Sequence, residues 1–170
     1  WRRRVAGASA PDASGRSTLQ LLLKAPGVKV GAIFSPEHGL SGQFDEKVAS
    51  GTDPATGLHV YSLYGKVTRP TAEMLRGLDA LVYDIQDVGA RFYTYASTML
   101  LCLEAAAEAG LEVVVLDRPN PLGGERVEGP VRDPAMPFSL VSAAPGPLVH
   151  GLTLGEMAQI ANARRANPGR

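Results

Sequence analysis

The sequence predicts an α/β fold, a parallel sheet with helices on both faces. Short apolar runs at residues 28–35, 80–83 and 112–116 alternate with segments of helical period. The connections between runs are long enough for right-handed crossovers, which parallel neighbours require. Each run also ends abruptly in acids: Glu37 after the first, Asp84 and Asp87 after the second, Asp117 after the third. Ligands of such sheets bind outside the carboxyl ends of the strands. The fold would therefore gather these acids along one rim.

In chain order, residues 5–10 are a candidate short strand. Ser17-Thr18-Leu19-Gln20 has the spacing of a capping box, in which hydroxyl and amide satisfy each other's free backbone N–H groups. It opens a helix whose Leu19, Leu22 and Leu23 share a face, with Gly27 as its stop. Residues 28–35 are a strand. From Pro36 to Tyr64 the chain is polar, carries Gly42, Gly51 and Gly57, and shows no period, as expected of a functional or mobile loop. Pro70-Thr71 begins a short helix that runs to Leu78. Residues 80–83 are continuously apolar, the mark of a strand covered on both faces. The strongest helix spans residues 95–109, with Tyr95, Met99, Leu103 and Ala106 in one stripe and Gly110 closing it. After the strand at 112–116 and a Pro-rich connection, Thr153-Leu154-Gly155-Glu156 caps a last helix that sets Leu154, Met157, Ala158 and Ala161 on one side.

At 170 residues a single domain with a substantial core is expected. The 17 basic and 17 acidic side chains balance, which gives no electrostatic reason to expect nucleic acid or an anionic membrane surface. Cys102 is the only cysteine, so no internal disulfide forms, and its apolar setting makes it a core residue. The spacing of Cys and His excludes the usual zinc ligand sets. No window approaches the ~20 apolar residues of a membrane span. The opening Trp1-Arg2-Arg3-Arg4 lacks the apolar core of a signal peptide.

Residues 81–95 combine Asp84, Gln86, Asp87, Arg91, Tyr93 and Tyr95 around Gly89. Carboxylates, an amide, a guanidinium and phenols on a tight turn suit a hydroxyl-rich ligand such as a sugar. Glu37, between Pro36 and His38-Gly39, either donates a proton with its pKa raised by partial burial or binds nearby backbone N–H groups. His38 could share its proton network. Asp84 and Asp87 could orient Arg91 or a ligand hydroxyl, or form a structural Asp–Arg pair. Asp117-Arg118 has the same two readings, and Asn120 in Pro-Asn-Pro sits in either a rigid turn or a binding loop. His59 and His150 read as surface or turn residues.

Dinucleotide, phosphate-loop, nucleophile-elbow and zinc-protease motifs are all missing. What remains is acid/base work by paired carboxylates, the minimum equipment of most glycosidases, or an acidic cluster holding a divalent cation.

Several motifs in register then carry a resemblance: Phe34-Ser35-Pro36-Glu37-His38-Gly39-Leu40, Ser50-Gly51-Thr52-Asp53, Val60-Tyr61-Ser62-Leu63-Tyr64-Gly65, the run from Asp84 through Tyr95, Asp117-Arg118-Pro119-Asn120-Pro121 and Val127-Glu128-Gly129-Pro130. Over roughly residues 15–162 the chain resembles the exo-β-N-acetylmuramidase (NamZ) family. The resemblance implies a bacterial enzyme, secreted or periplasmic, that removes terminal β-1,4-linked N-acetylmuramic acid (MurNAc) from the non-reducing end of peptidoglycan fragments, including MurNAc-GlcNAc units. It implies a Rossmann-like first domain, a smaller second domain with the active site near their junction, and no metal or organic cofactor. Carried over residue by residue, Glu37 is the catalytic acid and its partner is one of Asp84, Asp87, Asp117 and Glu128. Arg91 or Arg118 binds the lactyl carboxylate, Tyr93 or Tyr95 stacks on the sugar ring, and His38, Gln86 and Asn120 complete the ligand contacts.

The chain departs from the family pattern at residues 5–11, where an Asn-Thr-Gly type loop is usual, and in its ending. The expected organisation is an altered segment at 1–15, a Rossmann-like catalytic-type domain at 16–163 and an atypical tail at 164–170, a fragment without the second domain. The alternatives are a non-catalytic muropeptide-binding module and a magnesium-dependent phosphoryl-transfer enzyme using Asp84, Asp87 and Asp117.

Overall fold

The computed structural model describes residues 15–36, 50–133 and 135–165, and the backbone of residues 4–6. Strands β1 (Arg4–Ala6), β2 (Ile33–Ser35), β3 (Gly51–Thr52), β4 (His59–Ser62), β5 (Ala80–Tyr83) and β6 (Glu112–Val115) alternate with helices α1 (Thr18–Lys24), α2 (Ala72–Leu75), α3 (Thr94–Glu108) and α4 (Leu154–Ala163). β5 pairs in parallel with β1 on one side and β6 on the other. β2 pairs in parallel with β4, whose far side takes the short antiparallel β3. The two three-stranded sheets meet where β1 lies against β2, which gives the spatial order β4-β2-β1-β5-β6 across the molecule. The chain steps outward from β1 to β4 and returns to the other side of β1 at β5. That reversal between β1 and β5 is the topological switch point of a Rossmann-like α/β sheet, the place where such sheets bind ligands.

Period-2 alternation along β5 assigns the two faces. Leu81 packs with Leu75 and Leu78 around α2 and with Cys102, Ala105 and Ala106 of α3. Tyr83, two residues on and on the same face, packs with Ala96 and Met99 of α3 and Leu154, Met157 and Ala158 of α4. Val82 points the other way, to Val30 and to Leu19 and Leu22 of α1. Helices therefore cover both faces. Each large apolar side chain buried this way contributes on the order of 1.5–3 kcal/mol. Burial also pushes the Cys102 thiol up to about 12.

Both capping boxes form. Ser17 and Gln20 exchange hydrogen bonds at the start of α1, and Thr153 and Glu156 do so at the start of α4. Leu23 departs from its expected place: it is 42% exposed, because a helix of 7 residues buries only a narrow stripe, and Leu19 and Leu22 occupy it. The strand expected at 28–35 is confined to Ile33–Ser35, and the helix expected to reach Leu78 ends at Leu75.

The segment from Pro36 to Tyr64 contains β3 and β4, where only loop was expected. β4 has 4 residues with Val60 alone buried, too short to show an alternation. It owes its form to its neighbour: Ile33, Phe34 and Ser35 register against Val60, Tyr61 and Ser62, and the Phe34 and Tyr61 rings stack at 5.5 Å.

Candidate active site

The candidate site lies at the carboxyl end of β5, in the turn from Asp84 to Tyr93. Two flanking segments hold it. From the β6 side, Arg118 forms an ion pair with Asp84, the Gln86 amide donates to the carbonyls of Asp87 at 2.8 Å and Pro119 at 3.3 Å, and Asn120 packs on Gly89. Gly89 has φ of 82°, and a Cβ there would overlap the Asn120 side-chain amide, so both conformation and space demand glycine. From the other side, residues 148–150 run antiparallel to the turn: Arg91 N–H donates to Leu148 O at 2.8 Å and His150 N–H to Gly89 O at 3.4 Å.

The acids weighed from the sequence separate into two groups. Asp117 turns to the start of α4, where it accepts from Thr153 Oγ1 at 2.6 Å and from Gly155 N–H at 2.8 Å. A carboxylate there caps free N–H groups and sits at the positive end of the helix dipole. Glu128 is exposed and forms a two-point pair with Arg126 at 2.7 and 3.0 Å, which holds its carboxyl below the ordinary range. Neither carboxylate joins the β5 turn, and the Asp84-Asp87-Asp117 edge is thereby divided.

Asp84 and Asp87 stay at the turn and are buried. Asp84 is 0% exposed; Arg118 takes its Oδ1, while its Oδ2 and Arg118 Nη1 are buried with no partner among the described residues. Asp87 Oδ2 accepts from Gly89 N–H at 2.7 Å and lies 3.2 Å from His150 Nε2, while its Oδ1 is buried and unpartnered among the described residues. The two acids do not orient Arg91. Arg91 is 9% exposed; its guanidinium donates from Nη2 to Pro130 O at 3.2 Å, and its buried Nε has no partner among the described residues. No carboxylate among the described residues pairs with it. An unmade bond at a buried polar atom costs about 1–3 kcal/mol, and several gather at this one rim.

Tyr93 and Tyr95 are half-buried and meet edge to face, with ring centroids 4.8 Å apart. Tyr83 donates its hydroxyl to Tyr95 O at 2.8 Å, and burial raises its pKa well above the usual tyrosine value. Asn120 uses both ends of its amide locally, Nδ2 on Leu152 O at 3.0 Å and Oδ1 on Leu122 N–H at 2.8 Å. Glu37 and His38 lie outside the described residues. Among the described residues no group of three His, Cys, Asp or Glu side chains is arranged to hold a metal ion. No helix there is long and apolar enough to cross a membrane. A groove of about 320 Å³ between α3, β6 and α4 is lined by Leu103, Val115, Asp117 and Ala158 and contains none of the unpartnered atoms.

His150 corrects the sequence reading of it as a surface or turn residue: its side chain is 1% exposed and faces Asp87. No local signal marks it, since a lone His in a Pro- and Gly-rich connection has no period to reveal a buried side. His59 is exposed on β4.

Among known proteins, the peptidoglycan β-N-acetylmuramidase NamZ of Bacillus subtilis (strain 168) is 49% identical over 153 residues, covering 89% of this chain and 37% of that protein. Crystal structures of two DUF1343 family proteins from Bacteroides fragilis NCTC 9343 share the fold. One has a TM-score of 0.88 at 44% identity over 99% of this chain, the other 0.80 at 38% over 98%, and each match covers 43% of the solved chain. The chain thus spans less than half the length of these relatives. Residues 5–168 match the family described as exo-β-N-acetylmuramidase NamZ, N-terminal. With that match over nearly its whole length, the chain belongs to the NamZ N-terminal family.

Proposed function

We propose that this chain is the Rossmann-like first domain of an exo-β-N-acetylmuramidase, which hydrolyses the bond to a terminal, non-reducing MurNAc of peptidoglycan fragments. One observation carries the choice of sugar. Among the described residues Arg91 is a buried cation with no carboxylate partner, in the turn that follows β5 at the carboxyl end of the sheet, where ligands of this fold bind. Leaving such a charge unpaired is costly, so the site favours an anionic ligand. The lactyl carboxylate that distinguishes MurNAc from GlcNAc is such a group, and a guanidinium fork matches it. Arg118, weighed for the same role, is already neutralised by Asp84.

In the proposed reaction Glu37 protonates the leaving oxygen, and a carboxylate of the β5 turn, Asp84 or Asp87, supports the charge that develops on the sugar or activates water. The test is release of MurNAc from a chromogenic β-muramide by the full-length protein. Glu37→Gln should lower the rate by about 10²–10⁴ while circular dichroism shows an unchanged fold. Undiminished release would remove Glu37 from the role, and no release by the wild type would end the glycosidase reading.

A further inference from the structure

The imidazole of His150 is almost fully buried, with Nδ1 hydrogen-bonded and Nε2 in polar contact with a carboxylate. Nδ1 accepts the N–H of Leu152 at 3.2 Å. A neutral imidazole carries one proton, and the nitrogen that accepts a bond is the bare one. The proton therefore sits on Nε2, which stands 3.2 Å from Asp87 Oδ2. The approach falls off the angle of a full hydrogen bond, so the two are in close polar contact, with the better-made bond to Oδ2 coming from Gly89 N–H at 2.7 Å.

The same short segment grips the turn through its backbone. His150 N–H bonds Gly89 O and Leu148 O accepts from Arg91 N–H, so residues 87, 89 and 91 are each held from 148–150. At the end of that turn stands Arg91, whose Nη2 reaches Pro130 O at 3.2 Å. Two-point recognition of a carboxylate depends on the direction of the guanidinium, and a displacement of about 1 Å at such a contact is enough to impair it.

We infer that His150 is a positioning residue: a neutral, Nε2-protonated imidazole that packs against Asp87 and, through the turn, sets the Arg91 guanidinium toward a ligand carboxylate. This rests on the reading of Arg91 in the proposed function. It adds a residue that neither the sequence motifs nor the family resemblance singled out.

The experiment has two arms. In ¹⁵N-labelled full-length protein near neutral pH, the His150 ring, assigned by comparison with His150→Gln, should show a bare Nδ1 and a protonated Nε2. The Arg91 Nε–H resonance should move in His150→Ala and return toward its wild-type position in His150→Gln, whose amide can still offer an N–H to Asp87. A ring protonated at Nδ1 alone, or an Arg91 resonance indifferent to His150→Ala, overturns the inference whether or not any sugar binds. In the second arm, calorimetry compares MurNAc with its methyl ester. His150→Ala should weaken the acid by about tenfold, the scale of one charge-assisted hydrogen bond, and leave the ester unchanged. Equal weakening of both would mean general damage and would also overturn it. A wild type indifferent to acid and ester would instead sink the reading of Arg91, with the resonance arm still deciding whether His150 positions it.

Discussion

Asp84, at the carboxyl end of β5, is ion-paired to Arg118 in the loop after β6, and the aspartate side of the pair is fully buried. The pair ties two neighbouring loops together at the switch point. It also separates two arginines that are alike in sequence. Arg118 is electrically neutralised, whereas Arg91, also near the rim, is not paired with a carboxylate among the described residues.

Breaking the pair from the basic side strands a buried carboxylate. Arg118→Ala should therefore cost about 3–5 kcal/mol, the range for removing one partner of a buried ion pair. Urea unfolding of the chain measures it, and a loss well under about 1 kcal/mol would mean that Asp84 finds another partner.

Gly89→Ala should destabilise the chain for two separate reasons, an unfavourable φ and overlap with Asn120. The backbone strain alone is about 1–3 kcal/mol. Asn120→Ala in the Gly89→Ala background relieves the overlap but not the φ, so part of the loss should return. Full recovery would assign the whole effect to crowding.

Asp117→Ala removes the carboxylate that binds Thr153 and Gly155 at the start of α4. Loss of a helix cap is expected to cost about 0.5–2 kcal/mol. Asp117→Asn keeps an acceptor and should lose less. Equal losses in the two variants would show that charge, rather than the bonds, carries the effect.

Cys102 should be chemically silent in the folded protein. Its thiol, ordinarily near 9, is pushed up to about 12 by burial, so the folded state holds the proton more tightly than the unfolded chain. The resulting stability is fully present below pH 9 and is lost as pH rises toward 12. Iodoacetamide near pH 8 should label the thiol slowly in buffer and readily in denaturing urea. Rapid labelling of the folded chain would contradict its burial.

What the sequence disclosed was local. The two capping boxes, the four-residue apolar β5 and the long α3 follow from spacings within a few turns of chain, and these elements form much as expected. Non-local features were hidden. β4 takes its shape from β2, and nothing within His59–Ser62 announces it. Asp117 and Asp84 looked equivalent, each an acid at or just past the end of an apolar strand. Only the arrival of α4 beside one and Arg118 beside the other separates a helix cap from a rim acid. His150 becomes a partner of Asp87 because two irregular segments pack together, and no period records that event. Glu37, the residue on which the family resemblance leans most, lies outside the described residues.

One titration decides whether this rim is built for muramic acid. Full-length wild type and Arg91→Gln are each titrated calorimetrically with MurNAc and with its methyl ester. The wild type should bind the acid at least about tenfold more tightly than the ester, as expected when a charge-assisted bond is lost, and Arg91→Gln should bind the two alike. Equal binding of acid and ester by the wild type, or a preference for the acid that survives in Arg91→Gln, would contradict it.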